Sequence, residues 1–292
     1  MGTILQILWS SFKKNTFDYD YYIFHYYYYY ICSKKINNML CQIIDIIMTS
    51  KIIHQIWIQG YSSIPDNLKK YHLECQKINN NFEQMFWDEN KIVKLIHDKF
   101  DQEYLDLYNS YTFPAQKADF ARYIILYTYG GIYLDMDMVC KKNLEPFLQY
   151  NFFFTPYIFY NFFKRYLNGV IGAKPKHPVF LNIFKNMFER KNILHDVTNS
   201  TGTGLFYYSV MEYANNNPNN DMVMIDRKYL HPCDIYNSDD CINTCTDCFI
   251  VHQSYSSWSP SLRILKSVLK HKYWILIIII LIIVLLVIRK LI

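Results

Sequence analysis

One stretch decides the fold of this chain: residues 115–138, "AQKADFARYIILYTYGGIYLDMDM". Its first part is typical of a helix, which Pro114 can begin and Gly130 can end, because proline suits the first helical turn and glycine the position after the last. The apolar residues after the glycines predict a central strand that ends in Asp135 and Asp137. The stretch therefore predicts a helix that leads directly into a buried strand with two carboxylates at its end.

The segments upstream alternate between strand and helix. Residues 51–58, "KIIHQIWI", predict a strand, and residues 63–78 predict a helix with Pro65 near its first turn. Residues 81–88 resemble a second strand and residues 89–100 a second helix. This alternation favours an α/β domain with a largely parallel sheet, in which ligands bind beyond the carboxyl ends of the strands. The carboxylate pair occupies that position.

The two carboxylates indicate a metal site. In an extended chain residues i and i+2 face the same way, so Asp135 and Asp137 are expected to point together while Met136 turns toward the packing behind. Two like charges this close are unfavourable without a positive partner, and oxygen ligands suit Mg²⁺ or Mn²⁺. The sequence has no glycine-rich loop of the Walker or dinucleotide type, so phosphates would be held through a metal and side chains. The pattern points to metal-dependent nucleotide-sugar chemistry.

Asp119 and Arg122 share one side of the predicted helix, opposite Phe120 and Ile124. Taken alone, two opposite charges three residues apart are more often a surface ion pair than part of a site. This helix, however, leads into the strand that carries the carboxylates. The pair is therefore also a candidate for the ligand site.

Several blocks of the sequence occur in the same order in a known family. The blocks are "KIIHQIWIQG", "AQKADFARYIILYTYGGIYLDMDM", "NGVIGAKPKHPVF", "TGTGLF", "HPCDIYN" and "VHQSYSSW". Over roughly residues 51–260 the chain resembles the sugar transferases of glycosyltransferase family 32, which includes DXD-type mannosyl- and galactosyltransferases and is distantly related to clostridial glucosylating toxins. The resemblance implies a GT-A fold, which is a Rossmann-like mixed sheet flanked by helices. It also implies a UDP- or GDP-hexose donor, Mn²⁺ or Mg²⁺, and retention of the anomeric configuration.

The resemblance assigns roles to individual residues. The implied donor contacts are Trp57 on the base, Asp119 and Arg122 on sugar hydroxyls, Asp135 on the ribose and sugar, and Ser257 and Trp258 on the diphosphate. The implied metal ligands are Asp137 and His252, and the implied catalytic set is Asp119, Arg122, Asp135 and Asp137. No protein nucleophile is assigned.

Simpler explanations exist for some of these residues. Core packing also explains Trp57 on an alternating strand, and a structural hydrogen bond also explains His252 after an apolar strand. Asn168 is either a turn residue or an acceptor-side group and is not assigned to the core site. The family often has Thr-Gly-Pro where this chain has "TGTG" at 201–204. Because of this departure, the resemblance assigns no residue to the acceptor side of the site.

Two functions compete at this stage. The first is a membrane-anchored hexosyltransferase that acts on a glycan, lipid or protein hydroxyl. The second is a catalytically inactive, membrane-tethered protein that binds a nucleotide-sugar or a glycan. The net charge of +5 is spread over 30 basic and 25 acidic residues without a long basic block, so a nucleic-acid partner is not indicated.

The two ends of the chain differ in composition from its central part. Residues 1–48 include a low-complexity aromatic run and are expected to be an extension, before a transferase domain at 49–262. A basic juxtamembrane segment at 263–272 and an apolar segment at 273–290 follow. The apolar run predicts a single-pass transmembrane helix, although its uninterrupted core spans only roughly 22 Å of a hydrocarbon layer of about 30 Å. A tail anchor favours a catalytic domain on the cytosolic side.

Four of the 8 cysteines lie close together, at Cys233, Cys241, Cys245 and Cys248. Their spacing is compatible with two disulfides, with a zinc site or with free thiols. Disulfides are expected if the domain faces a lumen, and a reduced or zinc-bound cluster if it faces the cytosol. The sequon at Asn199 is a glycosylation candidate only in the luminal case.

Overall fold

The computed structural model describes residues 51–157, 164–193, 195–233, 238–253, 255 and 264. The predicted extension at 1–48 and the predicted anchor at 273–290 lie outside these residues. Among the residues that are described, no helix is both long enough and apolar enough to cross a membrane. The anchor therefore stays a prediction.

The strands of the described residues form two sheets. In chain order they are β1 (Ile52–Ile56), β2 (Glu83–Trp87), β3 (Gly131–Leu134), β4 (Met138–Cys140), β5 (Phe152–Pro156), β6 (Tyr166–Ala173), β7 (Met222–Met224) and β8 (Ile250–His252). The larger sheet has the order β2-β1-β3-β6-β5-β7, and β4 pairs with β8 in the smaller one. β1 runs parallel to β2 and to β3, and β5 runs parallel to β7. β6 is antiparallel to both of its neighbours, β3 and β5. The sheet is therefore mixed, where the alternation alone predicted a largely parallel one.

Helices follow or precede most strands. They are α1 (Asp66–Ile78), α2 (Glu89–Lys99), α3 (Gln102–Ser110), α4 (Pro114–Tyr129), α5 (Val179–Glu189), α6 (Val197–Ser200), α7 (Thr203–Asn216), α8 (Arg227–Leu230) and α9 (Ser238–Thr244). The strands and helices predicted upstream are confirmed as β1, α1, β2 and α2, and the helix predicted from Pro114 to the glycines is α4. In α1 the buried residues Leu68, His72 and Cys75 recur at helical spacing, which explains how one side of this helix is buried.

Both faces of the central sheet are buried. In β3, Tyr133 belongs to one apolar cluster, together with Phe120 and Ile124 of α4. Its neighbours Ile132 and Leu134 belong to a second cluster. Because alternate strand residues point to opposite faces, each face receives part of the core. A continuous apolar run in β3 is the sequence signature of such a strand.

The two glycines between α4 and β3 have steric reasons. Gly130 ends the helix with φ of 66° and donates its N–H to Leu126 O at 2.9 Å, and Gly131 has φ of 89°. A Cβ on Gly131 would lie 2.6 Å from the carbonyl oxygen of Ile52. Glycine therefore supplies both the left-handed backbone and the close approach to β1. The two glycines thus connect the helix that carries Asp119 directly to the strand that leads to Asp135.

Candidate active site

Asp135, Met136 and Asp137 form a turn at the carboxyl end of β3, which we call the DXD turn. The strand ends at Leu134, and Met138 N–H donates to Asp135 O at 3.1 Å. The expectation that Asp135 and Asp137 face the same way because they lie in one extended strand is wrong. The turn brings the two side chains together instead, while Met136 is buried behind them, as predicted.

Asp135, Asp137 and His252 form one group of possible metal ligands. One ligand atom from each residue lies within 4.8 Å of the other two. His252 reaches the group because β8 pairs with β4, which places it opposite Met138. Its Nε2 lies 3.2 Å from Asp137 Oδ2. The structure thus brings His252 to the pair of Asp135 and Asp137, from which it lies more than a hundred positions away in the sequence.

Arg122 links the helix to this group. Its Nη2 lies 2.9 Å from Asp119 Oδ1 and 3.3 Å from Asp135 Oδ1, and its Nη1 donates to Asn168 O at 2.5 Å. The guanidinium stands over the Tyr133 ring, 4.5 Å from its centroid. The side chains of Arg122 and Asp119 are only 6% and 9% exposed. The pair is therefore not the surface ion pair that the spacing alone would favour.

The Asp119 carboxylate is held from several sides. Thr201 Oγ1 donates to its Oδ2 and Asn168 Nδ2 to its Oδ1, each at 2.9 Å. Burial raises the pKa of Asp119 to about 6, and Arg122 and these donors only partly offset the loss of hydration. For Arg122, burial alone would lower the pKa, but Asp135, Tyr133 and Asp119 together outweigh it and raise the pKa. The guanidinium therefore stays charged.

Asp137 is stabilised as an anion. Tyr255 N–H donates to Asp137 Oδ2 at 2.8 Å. Burial alone would raise the pKa of Asp137, but the charge and hydrogen bond of His252, with the Tyr255 N–H, lower it below its usual value. An ionised carboxylate is the form that binds a cation.

The remaining predicted donor residues are only partly placed. Trp57 packs at the edge of a cluster that contains Met136, and its indole N–H donates to Ser63 Oγ at 3.0 Å. It is half-buried, so both core packing and a role beside the DXD turn are compatible with its position. Ser257 and Trp258 lie outside the described residues.

Sequence reasoning did not assign several residues that shape the site. Tyr133 O–H donates to Asp135 Oδ1 at 2.7 Å, and Thr201 and Asn168 hold Asp119. Gly169 permits the close approach of Asp135, since a Cβ there would lie 2.5 Å from Asp135 Oδ2. For Asn168 and Gly169, the signal that could have found them is a polar and a small residue side by side in the largely apolar β6. No periodicity connects either of them to the helix.

The cysteines of the described residues form disulfides: Cys75–Cys140, Cys233–Cys241 and Cys245–Cys248. Of the alternatives left open for the four clustered cysteines, this structure has the disulfides. The bond between Cys75 and Cys140 was not predicted, and it joins α1 to β4, beside the DXD turn.

The sequon asparagine is engaged in the fold. Asn199 Nδ2 donates to Asp196 Oδ2 at 2.6 Å, and its backbone N–H donates to Asp196 Oδ1 at 3.0 Å. The side-chain amide that would carry a glycan is thus held against Asp196 within the fold.

Comparison with known proteins gives a family. The glycosyltransferase sugar-binding region that contains the DXD motif matches residues 65–153. A glycosyltransferase of Acanthamoeba polyphaga mimivirus, L373, is 58% identical over 231 residues, which cover 79% of this chain and 92% of that relative. The chain belongs to this family of DXD-containing glycosyltransferases. It is therefore an enzyme, which favours the first of the two competing functions over the inactive binding protein.

More distant similarities extend the comparison. Inositol phosphoceramide mannosyltransferase 1 of Schizosaccharomyces pombe is 31% identical over 140 residues, covering 47% of this chain. The match spans 42% of the length of that relative. Among solved structures, the PaToxG glycosyltransferase is similar with a TM-score of 0.41 and 18% identity, over 65% of this chain and 79% of the other.

Proposed function

We propose that this glycosyltransferase moves a hexose from a UDP- or GDP-hexose to a glycan, lipid or protein hydroxyl, in a metal-dependent reaction on a GT-A fold that retains the anomeric configuration. The observation that carries the proposal is the convergence of Asp135, Asp137 and His252 beside the buried Asp119–Arg122 pair. The retention and the GT-A assignment are supported by the resemblance to family 32. The name of the fission-yeast relative makes a mannosyl donor and an inositol-containing lipid the first candidates to test.

The three clustered residues fit Mn²⁺ or Mg²⁺. Ligand atoms on opposite sides of such an ion are about 4.2 Å apart when each bond is about 2.1 Å, and the three atoms here already lie within 4.8 Å of one another. Two carboxylates supply hard oxygen ligands, and the imidazole of His252 favours Mn²⁺ of the two. Asp137 and His252 are the proposed ligands, with Asp135 close enough to join them. When bound, the cation would neutralise charge on the donor diphosphate.

The surrounding residues would bind and orient the donor. The buried Arg122 and Asp119 present fixed polar groups beside the DXD turn, and we assign them to the sugar hydroxyls. Asp135, which accepts from Tyr133, would hold the ribose and sugar. Cleavage of the bond between sugar and phosphate develops negative charge on the leaving nucleoside diphosphate, and fixed donors stabilise such charge well because they need no reorganisation. Trp57 is assigned to the base, and Ser257 with Trp258 to the diphosphate.

The membrane and its side also belong to the proposal. We keep the prediction of a single-pass C-terminal anchor at 273–290, from its apolar composition. The sequence favoured the cytosolic side for the catalytic domain. The three disulfides favour an oxidising compartment instead. Protease protection of the membrane-inserted protein distinguishes the two orientations.

The test of the function is a panel of UDP- and GDP-hexoses, scored for hydrolysis and for transfer to candidate acceptors by the full chain with Mn²⁺ present. We expect turnover of at least one donor, loss of turnover with a chelator, and loss in Asp137→Ala. Asp98→Asn is the matched control, because this carboxylate is exposed and lies in an ordinary helical ion pair. Activity that survives both the chelator and Asp137→Ala would overturn the metal role. An NMR assignment of the product anomer tests retention.

A further inference from the structure

A second histidine lies directly behind the metal-ligand candidate. His231 Nε2 is 3.2 Å from His252 Nδ1, and the two ring centroids are 5.3 Å apart. Only 2% of His231 is exposed, so it cannot itself reach a substrate. Its other ring nitrogen, Nδ1, is buried and has no hydrogen-bond partner among the described residues. The main polar contact of the His231 ring is therefore with His252.

The backbone fixes the approach of the two rings. His231 follows α8 and donates its N–H to Arg227 O at 2.7 Å. The segment before His252 is tied to α8, because Phe249 N–H donates to Tyr229 O at 2.8 Å. Backbone hydrogen bonds on both sides therefore hold the two imidazoles in contact.

The contact is compatible with either neutral tautomer of His252, because His231 Nε2 can donate or accept. Without a cation, the 3.2 Å contact between His252 Nε2 and Asp137 Oδ2 requires a proton on Nε2. When His252 is neutral, its Nδ1 then accepts from His231 Nε2–H. To offer the Nε2 lone pair to a cation, neutral His252 must carry its proton on Nδ1 and donate it to His231 Nε2. His231 then carries its own proton on Nδ1. With both imidazoles neutral, each ring has one proton in both arrangements, so the number of protons on the pair is unchanged.

We propose that His231 is a positioning residue for the metal site, which orients His252 and serves as hydrogen-bond acceptor when His252 Nε2 faces the cation. A buried carboxylate or carbonyl could only accept, whereas an imidazole can serve both arrangements. The inference rests on the metal-dependent function proposed above. It concerns metal binding and not contact with the donor.

The experiment measures Mn²⁺ binding to the full chain by calorimetry and by the EPR signal of free Mn²⁺. His231→Leu removes the hydrogen bond and is expected to weaken binding about 10- to 100-fold, the usual effect of losing such a partner. His231→Gln places an amide where Nε2 was, can donate or accept, and should restore binding close to wild type. His231→Asn is a shorter amide that reaches only the Nδ1 position and should behave like His231→Leu. His177→Gln, at a histidine bonded to Asp221, controls for loss of a buried imidazole and should leave binding unchanged.

The outcomes separate the two proposals. If the wild type binds Mn²⁺ but a folded His231→Leu binds it equally well, the role of His231 is overturned and the metal-dependent function stands. If glutamine and asparagine weaken binding equally, His231 is only a packing residue and the inference is again overturned; this comparison also serves if the leucine variant fails to fold. If the wild type does not bind Mn²⁺ and turnover is insensitive to chelator, the metal role itself fails, and this inference with it.

Discussion

Removing Arg122 should destabilise the protein far more than removing an ordinary surface charge. Its guanidinium lies 2.9 Å from Asp119 and 3.3 Å from Asp135, with the Arg122 side chain 6% exposed. Arg122→Met keeps the length of the side chain and leaves both carboxylates without their cation. Breaking a buried ion pair in this way costs about 3–5 kcal/mol, because the remaining charge is poorly hydrated. We therefore expect the free energy of unfolding to fall by about that amount at pH 7.5.

The assay is urea unfolding followed by tryptophan fluorescence, with the midpoint and slope compared between variants. The matched control is Lys94→Met, which breaks an exposed i,i+4 pair with Asp98 whose side chains are 76% and 40% exposed. This change should leave the free energy of unfolding almost unchanged, because water and salt screen an exposed ion pair. The double variant Arg122→Met with Asp119→Asn should recover part of the loss, because it removes a buried charge as well as its partner.

The pH dependence gives a second check. In the wild type, burial raises the pKa of Asp119 to about 6. The folded state therefore binds more protons than the unfolded state between roughly pH 4 and 6, so the contribution of Asp119 to stability falls as pH rises through this window. Without Arg122 the pKa of Asp119 should rise further, and the deficit of Arg122→Met should be larger at pH 7.5 than at pH 5.5. A deficit no larger than that of Lys94→Met, or one independent of pH, would refute the argument.

Three further predictions test other parts of the structure. Gly169→Ala should lower kcat about 100-fold, because its Cβ would displace the Asp135 carboxylate; unchanged steady-state kinetics would contradict the placement of this carboxylate. Replacing Cys75 and Cys140 together by alanine should cost about 4 kcal/mol in unfolding free energy, since the disulfide closes a loop with a sequence separation of 65; a midpoint equal to that of the wild type would show that the bond does not form. Burial lowers the pKa of His54 to about 4, so the unfolded state binds more protons between pH 4 and 6.5, and stability should fall by up to about 3 kcal/mol as pH drops through this range. His54→Gln should flatten that decline in a urea titration at several pH values, and an unaltered slope would assign the decline to other groups.

Much of the fold could be predicted from local sequence. Pro114 and the glycine pair defined α4 and the start of β3, and the hydrophobic periodicities identified β1, β2, α1 and α2. These signals are local because capping, backbone freedom and the spacing of apolar residues act over a few positions. The antiparallel β6 was not predicted, since strand direction within a sheet depends on pairing between distant segments.

In the candidate site, too, some features could be predicted from local sequence and others depend on distant segments. The sequence by itself identified two neighbouring carboxylates at a strand end, and the order of several blocks indicated a sugar transferase. It could not determine that Asp135 and Asp137 converge through a turn, or that Arg122 is buried, because both depend on segments far along the chain. The approach of Asp135 needs Gly169 on β6, and the position of His252 needs the pairing of β8 with β4. Only the tertiary structure decided these contacts, because tight packing and burial around charged groups arise where distant segments meet.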